Sequence, residues 1–301
     1  MPERTARLHI GVPVYNGERY LRRTVESLLS QTFGDFELAI ADNASTDRTE
    51  EIARQLAAAD PRVSYHRHPR NLGIAGNYNF LFGLARGEYF KWASHDDPCE
   101  PLFLERCVAV LDRDPGVVLA YPRARFVDEA ERPLEIHDPG FALDFEPPAE
   151  RLRYTIAANH WVNAILGVIR RETLARTRLL PRYPGGDYVL LGQLCLLGRF
   201  VEVPEALLLR RIHPDSSSQL AADPQRVFQY VTARGGIALP AWLRLRDHAR
   251  SILASELGWR DKLSLLGTLL RQAQARRERL VRELVVGARA ALSARRKRLT
   301  A

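Results

Sequence analysis

The sequence lacks three signatures that would class it at once: a transmembrane run, a paired-cysteine framework and a glycine-rich phosphate loop. Of its 301 residues 46% are hydrophobic, yet no uninterrupted apolar stretch approaches the ~18 residues a membrane span needs. The start, Met1-Pro-Glu-Arg-Thr-Ala-Arg7, is charged and leads straight into a strand-like segment, without a signal-peptide apolar region. The expected location is therefore the cytoplasmic side. Cys99, Cys107 and Cys195 show no metal-ligand spacing, and an odd count in a long chain fits reduced, structural thiols. The first turn reads Pro-Val-Tyr-Asn-Gly, with neither the Gly-x-Gly-x-x-Gly of dinucleotide enzymes nor the Lys-Ser/Thr of a P-loop. Nucleotidyl transfer, which calls for a basic loop there, is disfavoured on the same ground.

Net charge is also small over most of the chain. The formal net charge is +8, but Trp242 to Ala301 alone holds 15 Lys and Arg against 5 Asp and Glu, a local +10, so the first 241 residues sum to −2. That distribution argues against a nucleic-acid-binding core. It points to a basic appendage able to meet anionic lipid, a polyanion or an acidic partner.

What is present is alternation. Leu8 to Tyr15 reads as a buried strand; Tyr20, Leu21, Thr24, Val25, Leu28 and Leu29 recur at helical spacing, with Asn16 available as a cap. Phe36 to Asp42 is a second strand and Thr49 to Ala59 a second helix, preceded by the cap candidates Ser45-Thr-Asp47. Val63 to Arg67 is a short third strand, Ala75 to Ala85 a third helix, and Tyr89-Phe-Lys-Trp-Ala-Ser-His-Asp-Asp97 a strand-like run ending in two carboxylates before Pro98. Strands alternating with helices of this length predict an α/β fold, a mostly parallel sheet covered on both sides. Such sheets bind ligands outside the carboxyl ends of their strands. Polar residues stand at each predicted end: Tyr15-Asn16, Asp42-Asn43, Arg70-Asn71-Leu72-Gly73 and His95-Asp96-Asp97. An Asp-Asp before proline is also an ordinary solvated turn, Tyr15 also fits a core cap, and Arg70-Asn71 also fits a surface turn. If the edge holds a diphosphate, a divalent cation on Asp96 or Asp97 supplies the missing positive charge, since Mg and Mn accept a few carboxylates plus phosphate oxygens and water. His95 suits a loop role better than ligation to such oxygen-preferring metals.

Pro13-Val-Tyr-Asn-Gly17, Ser30-Gln-Thr-Phe33, Asp42-Asn-Ala-Ser-Thr-Asp47, Arg70-Asn-Leu-Gly73, Ala85-Arg-Gly-Glu-Tyr89 and His95-Asp-Asp97 resemble, in this order, the family 2 inverting glycosyltransferases of GT-A fold. The resemblance implies that Pro13, Tyr15, Asp42 and Asn43 grip the nucleotide base and ribose, with Arg70, Asn71 and Gly73 beside them. Asn43 departs from the Asp that often stands there. The family's Asp-x-Asp matches His95-Asp96-Asp97, which implies Asp96 on the ribose side and at the metal, and Asp97 on the metal. Asp187, in Tyr183-Pro-Gly-Gly-Asp-Tyr188 at the start of an apolar helix over Val189 to Leu197, matches the family's catalytic base; from position alone it is equally a helix cap. Arg211 and His213, in the polar segment after the strand Val201 to Leu209, match its diphosphate contacts, and His160, Trp161 and Asn163 lie where the family builds its acceptor pocket.

The implied activity is metal-assisted, inverting transfer of a sugar from a nucleoside-diphosphate sugar, with UDP expected, to the hydroxyl of a saccharide, lipid-linked saccharide or small molecule. A non-catalytic nucleotide-sugar-binding protein or scaffold is the alternative. The expected cofactor is Mg or Mn, and no nucleic acid is expected. The expected organisation is a catalytic domain over residues 1–220, with 1–125 for the nucleotide sugar and 126–220 for the acceptor. A basic helical extension over 221–301 follows, carrying amphipathic helices that lie on the catalytic domain or on an anionic membrane surface; a merely solvated helical tail fits the same pattern.

Overall fold

The computed structural model describes residues 5–136, 138, 141, 143–157, 163–214, 216 and 239–286. Its centre is a seven-stranded sheet in the order β3-β2-β1-β4-β6-β5-β7. The strands are β1 (Leu8–Val14), β2 (Phe36–Asp42), β3 (Val63–Arg67), β4 (Tyr89–Trp92), β5 (Val117–Val127), β6 (Val168–Arg170) and β7 (Arg199–Arg211). Neighbours pair in parallel except around β6, which runs antiparallel to both β4 and β5. Every residue of β1 is buried, as a strand covered on both faces requires.

Helices α1 (Leu21–Leu29), α2 (Thr49–Ala59), α3 (Ile74–Leu84) and α4 (Phe103–Arg113) connect the strands. On α1, Leu21, Thr24, Val25 and Leu28 form the buried stripe, the spacing that puts one helix face on a sheet. Asn16 does not cap α1, contrary to expectation. It adopts a left-handed φ of 52° and its Oδ1 instead accepts a hydrogen bond from the Thr46 amide (2.9 Å). Asn tolerates this backbone region, so the residue turns the chain and links the first two strand ends.

The chain divides into two compact units. The first comprises Met1–Phe145, His160–Arg182 and Leu197–His213 and contains the whole sheet, α6 (Arg171–Ala175) and a short 3-10 helix at Asn163–Leu166. The second comprises Glu146–Asn159, Tyr183–Leu196 and Pro214–Ala301, and holds α5 (Pro148–Ala157), nearly all of α7 (Gly186–Leu197), α8 (Pro240–Ala254) and α9 (Trp259–Ala275). Its interior gathers Leu152, Ile156, Leu190, Leu194, Ile252 and Leu269. The buried Arg151 donates to the Cys195 carbonyl (2.8 Å), tying α5 to α7, and the Gln272 amide donates to the Ile156 carbonyl (2.6 Å), tying α9 to α5. Among the described residues no helix is long and apolar enough to cross a membrane.

Candidate active site

The carboxyl ends of β1, β2 and β4 lie side by side because these strands pair in parallel register, Val14 opposite Asp42 and Gly11 opposite Trp92. Asp42 is wholly buried, and both its oxygens are engaged: Oδ1 by the Ser45 amide (2.8 Å), Oδ2 by the Tyr65 hydroxyl and the Arg67 guanidinium (2.9 Å each). Asn43 is buried too. Its Oδ1 accepts from the Leu72 amide (2.7 Å) and its Nδ2 donates to Asn71 Oδ1 (3.0 Å), so it secures the 70–73 loop. Gly73 ends that loop at φ +82°, a conformation open to glycine and unfavourable for side chains. Pro13 is buried, whereas Tyr15 is 47% exposed and Arg70 is exposed; these two present side chains to solvent at the edge.

The acid pair lies beyond β4 rather than on it, since the strand stops at Trp92. The turn carries both acids to one place, which alternation along a strand forbids. There they meet β7, because the Leu209 amide donates to the Pro98 carbonyl and the Glu100 amide to the Leu207 carbonyl (2.9 Å each). Asp96 Oδ1 accepts from the Ser94 hydroxyl, and Oδ2 shares a 2.9 Å hydrogen bond with His213 Nε2. Asp97 Oδ2 is paired with the Arg210 guanidinium, and Oδ1 accepts from the Arg211 amide (2.8 Å). Burial works against the Asp96 charge, yet His95, the His213 hydrogen bond and Arg210 hold its carboxyl below the usual range. Burial, with Asp96 beside it, pushes Asp97 upward against the pull of Arg210. His95 approaches so closely that a Cβ on Gly17 would stand 2.8 Å from its ring.

Arg211, expected at a diphosphate, is directed inward. It is buried, donating from Nε to the Asp96 carbonyl (3.0 Å), from one terminal nitrogen to the Glu129 carbonyl (2.8 Å) and from the other to Glu131 (2.9 Å). Its guanidinium also lies 4.7 Å from the Tyr20 ring centroid, and Tyr20 packs against His213 at 4.9 Å between ring centroids. Glu129 and Glu131 are further held by Arg19 (2.7 Å) and Arg23 (3.0 Å) of the α1 region.

The first unit thus brings together Pro13, Tyr15, Asp42, Asn43, Arg70, Asn71, Gly73, Asp96, Asp97, Arg211 and His213. Asp187 belongs to the second unit, in the first turn of α7, half-buried, after Gly185 at φ +79°. Asn163 is buried in the first unit, its amide 3.3 Å from Asp138; His160 and Trp161 lie outside the described residues. Sequence reasoning missed Arg210, Tyr20, Glu129 and Glu131. Carrying the last strand two residues further, to Arg211, would have found Arg210, since alternation puts neighbouring side chains on opposite faces. For Glu129 and Glu131 no local signal existed.

Each acid keeps unused lone pairs on its oxygens. Among the described residues no group of three or more His, Cys, Asp or Glu is arranged to hold a metal ion. The acid pair therefore fits a hard cation only as part of a shell completed by phosphate oxygens and water, and only with Arg210 displaced from Asp97.

Comparison with known proteins bears on this edge. The model of Glycosyl transferase family 2 matches residues 9–175, more than half of the chain. A chondroitin synthase of Pasteurella multocida is 28% identical over 229 residues, covering 74% of this chain and 22% of the synthase. The structure of S. aureus TarS residues 1–349 in complex with UDP-GlcNAc superposes with TM-score 0.69 at 16% identity, covering 94% of this chain and 81% of that one. The mannosyltransferase PcManGT from Pyrobaculum calidifontis, in complex with GDP-Man and Mn2+, superposes with TM-score 0.53 at 18% identity, covering 97% and 87%. The chain spans between 12 and 66% of the length of eight curated relatives, so it corresponds to a part of most of them. The sheet is that of the GT-A glycosyltransferases. With its family model spanning β1 through α6, the chain belongs to glycosyl transferase family 2.

Proposed function

We propose that the protein transfers a sugar, with inversion, from a UDP-sugar to an acceptor hydroxyl in the synthesis of a polysaccharide or other glycoconjugate. The observation that carries this reading is the buried Asp96–His213 pair at the carboxyl edge of the sheet, beside Asp97 and Arg210, in a family 2 glycosyltransferase. TarS, solved in complex with UDP-GlcNAc, and the chondroitin synthase motivate the donor and acceptor classes.

In this reading Tyr15, Asp42, Asn43 and the 70–73 loop receive the nucleoside, with Tyr15 offering a ring face to the base. Asp42 and Asn43 act mainly by shaping the pocket, since their polar atoms are engaged internally. Asp96 and Asp97 would hold Mg or Mn, which supplies positive charge to the departing diphosphate when bound. Arg210, once released from Asp97, can reach the same negative charge, and His213 holds Asp96 in position. Asp187, in the first turn of α7, would accept the proton of the attacking hydroxyl.

Donor hydrolysis and transfer, assayed across a panel of nucleotide sugars with Mn, test the reading directly. Asp187→Asn is expected to lower transfer by roughly 10²–10⁴-fold while leaving nucleotide binding intact, the signature of a lost general base. Donor binding without hydrolysis or transfer in the unaltered protein would favour the non-catalytic alternative.

A further inference from the structure

Helix α9 carries two apolar faces. Leu265, Thr268 and Leu269 are buried within the second unit, and Gln272 on the same side is hydrogen-bonded to α5. On the other side Trp259, Leu263, Leu266 and Leu270 recur at intervals of four, three and four residues, which at 3.6 residues per turn makes a single stripe. Trp259 is 66%, Leu263 59% and Leu270 72% exposed. Leu253, at the end of α8 and 60% exposed, precedes the turn into α9. Val281, Leu284 and Val285 repeat the pattern in the helical residues 277–286. Large apolar residues in such a run are more than the scattered surface leucines of an ordinary soluble domain.

The flanks of the stripe are basic. Residues 239–286 contain ten Lys and Arg against five Asp and Glu, and Arg260, Arg271, Arg277, Arg279 and Arg282 are all exposed. An apolar stripe with an interfacial tryptophan, edged by arginines, matches a bilayer surface of negative charge: apolar side chains enter the acyl boundary while guanidinium groups stay among the headgroups. A second copy fits less well, because a two-fold interface would bring the basic flanks against themselves.

We propose that the exposed faces of α9 and residues 277–286 dock the protein on an anionic lipid bilayer. Vesicle binding by the full chain is read without any sugar donor, so it stands or falls apart from the transferase assignment. The protein should co-float with vesicles of phosphatidylcholine and phosphatidylglycerol and not with phosphatidylcholine alone. The double variant Leu263→Glu/Leu270→Glu should partition at least about tenfold less at an unchanged melting temperature. Tryptophan emission should shift to the blue on adding the anionic vesicles, and Trp259→Phe should remove that shift without relying on the charged variant. Failure of the unaltered protein to float, or equal flotation by the double variant, overturns the proposal. A concentration-dependent dimer that the double variant abolishes would assign the face to a second copy instead.

Discussion

Arg210 and Arg211 are neighbours in sequence with opposite tasks. Arg211 is built into the wall: a backbone carbonyl on either side and Glu131 accept its hydrogen bonds, and Tyr20 covers its plane. Arg210 has the buried Asp97 as its ion-pair partner, so the positive charge at this acid is supplied by a side chain, and under the proposed function a metal would compete with it for the same carboxylate. Removing one member of such a pair leaves a buried charge in need of compensation. Arg210→Met is therefore expected to tighten Mn binding in the absence of nucleotide by about tenfold, measured by titration calorimetry, with circular dichroism confirming the fold. Equal Mn affinity would mean that Arg210 and the metal do not compete. Absence of Mn binding by either protein, with or without UDP, would count against the metal itself. The acid pair was visible in the sequence as a motif, but its counter-charge was not, because ion pairing across more than a hundred residues leaves no periodic trace.

At the scale of elements, the first half of the fold was legible and much of the second was not. β2, α2 and β3 occupy the expected residues, and β1, α1 and α3 lie within a residue of them, since doubly covered parallel strands read as short apolar runs and sheet-covering helices as patterns of period 3.6. The exception is β4, four residues long, whose apolar continuation is a turn rather than strand. α7 and β7 were each expected shorter than they are, and β6, with three residues, is too brief to carry any period. Close approach between elements is likewise invisible before folding. A Cβ on Gly11 of β1 would lie 2.8 Å from Leu81 Cβ of α3. Gly11→Val should lower stability by about 1–3 kcal/mol in urea unfolding, as overpacking forces α3 away from the sheet. A variant as stable as the parent would show that α3 can shift without penalty.

For the molecule as a whole, acid stability should turn on a buried imidazole. His9 lies in β1 with no hydrogen-bond partner for Nε2 among the described residues, and burial, with His66 nearby, holds its pKa down at about 4 from 6.5. The unfolded chain takes up a proton that the folded one refuses, so this contribution is complete above pH 6.5 and is lost as pH falls toward 4. At pH 5 the loss is about 2 kcal/mol. His9→Leu should remove that part of the pH dependence when urea midpoints are compared at pH 7 and pH 5; an unchanged slope would assign it elsewhere. The chain also passes between its two units five times, after residues 145, 159, 182, 196 and 213. No single peptide-bond cleavage can separate the units, and during synthesis α5 and α7 emerge from the ribosome well before α8 and α9, their partners in the second unit. The sheet can be assembled while that unit is still half made, so the packing of the helices around Asp187 is completed only once α8 and α9 have been synthesised.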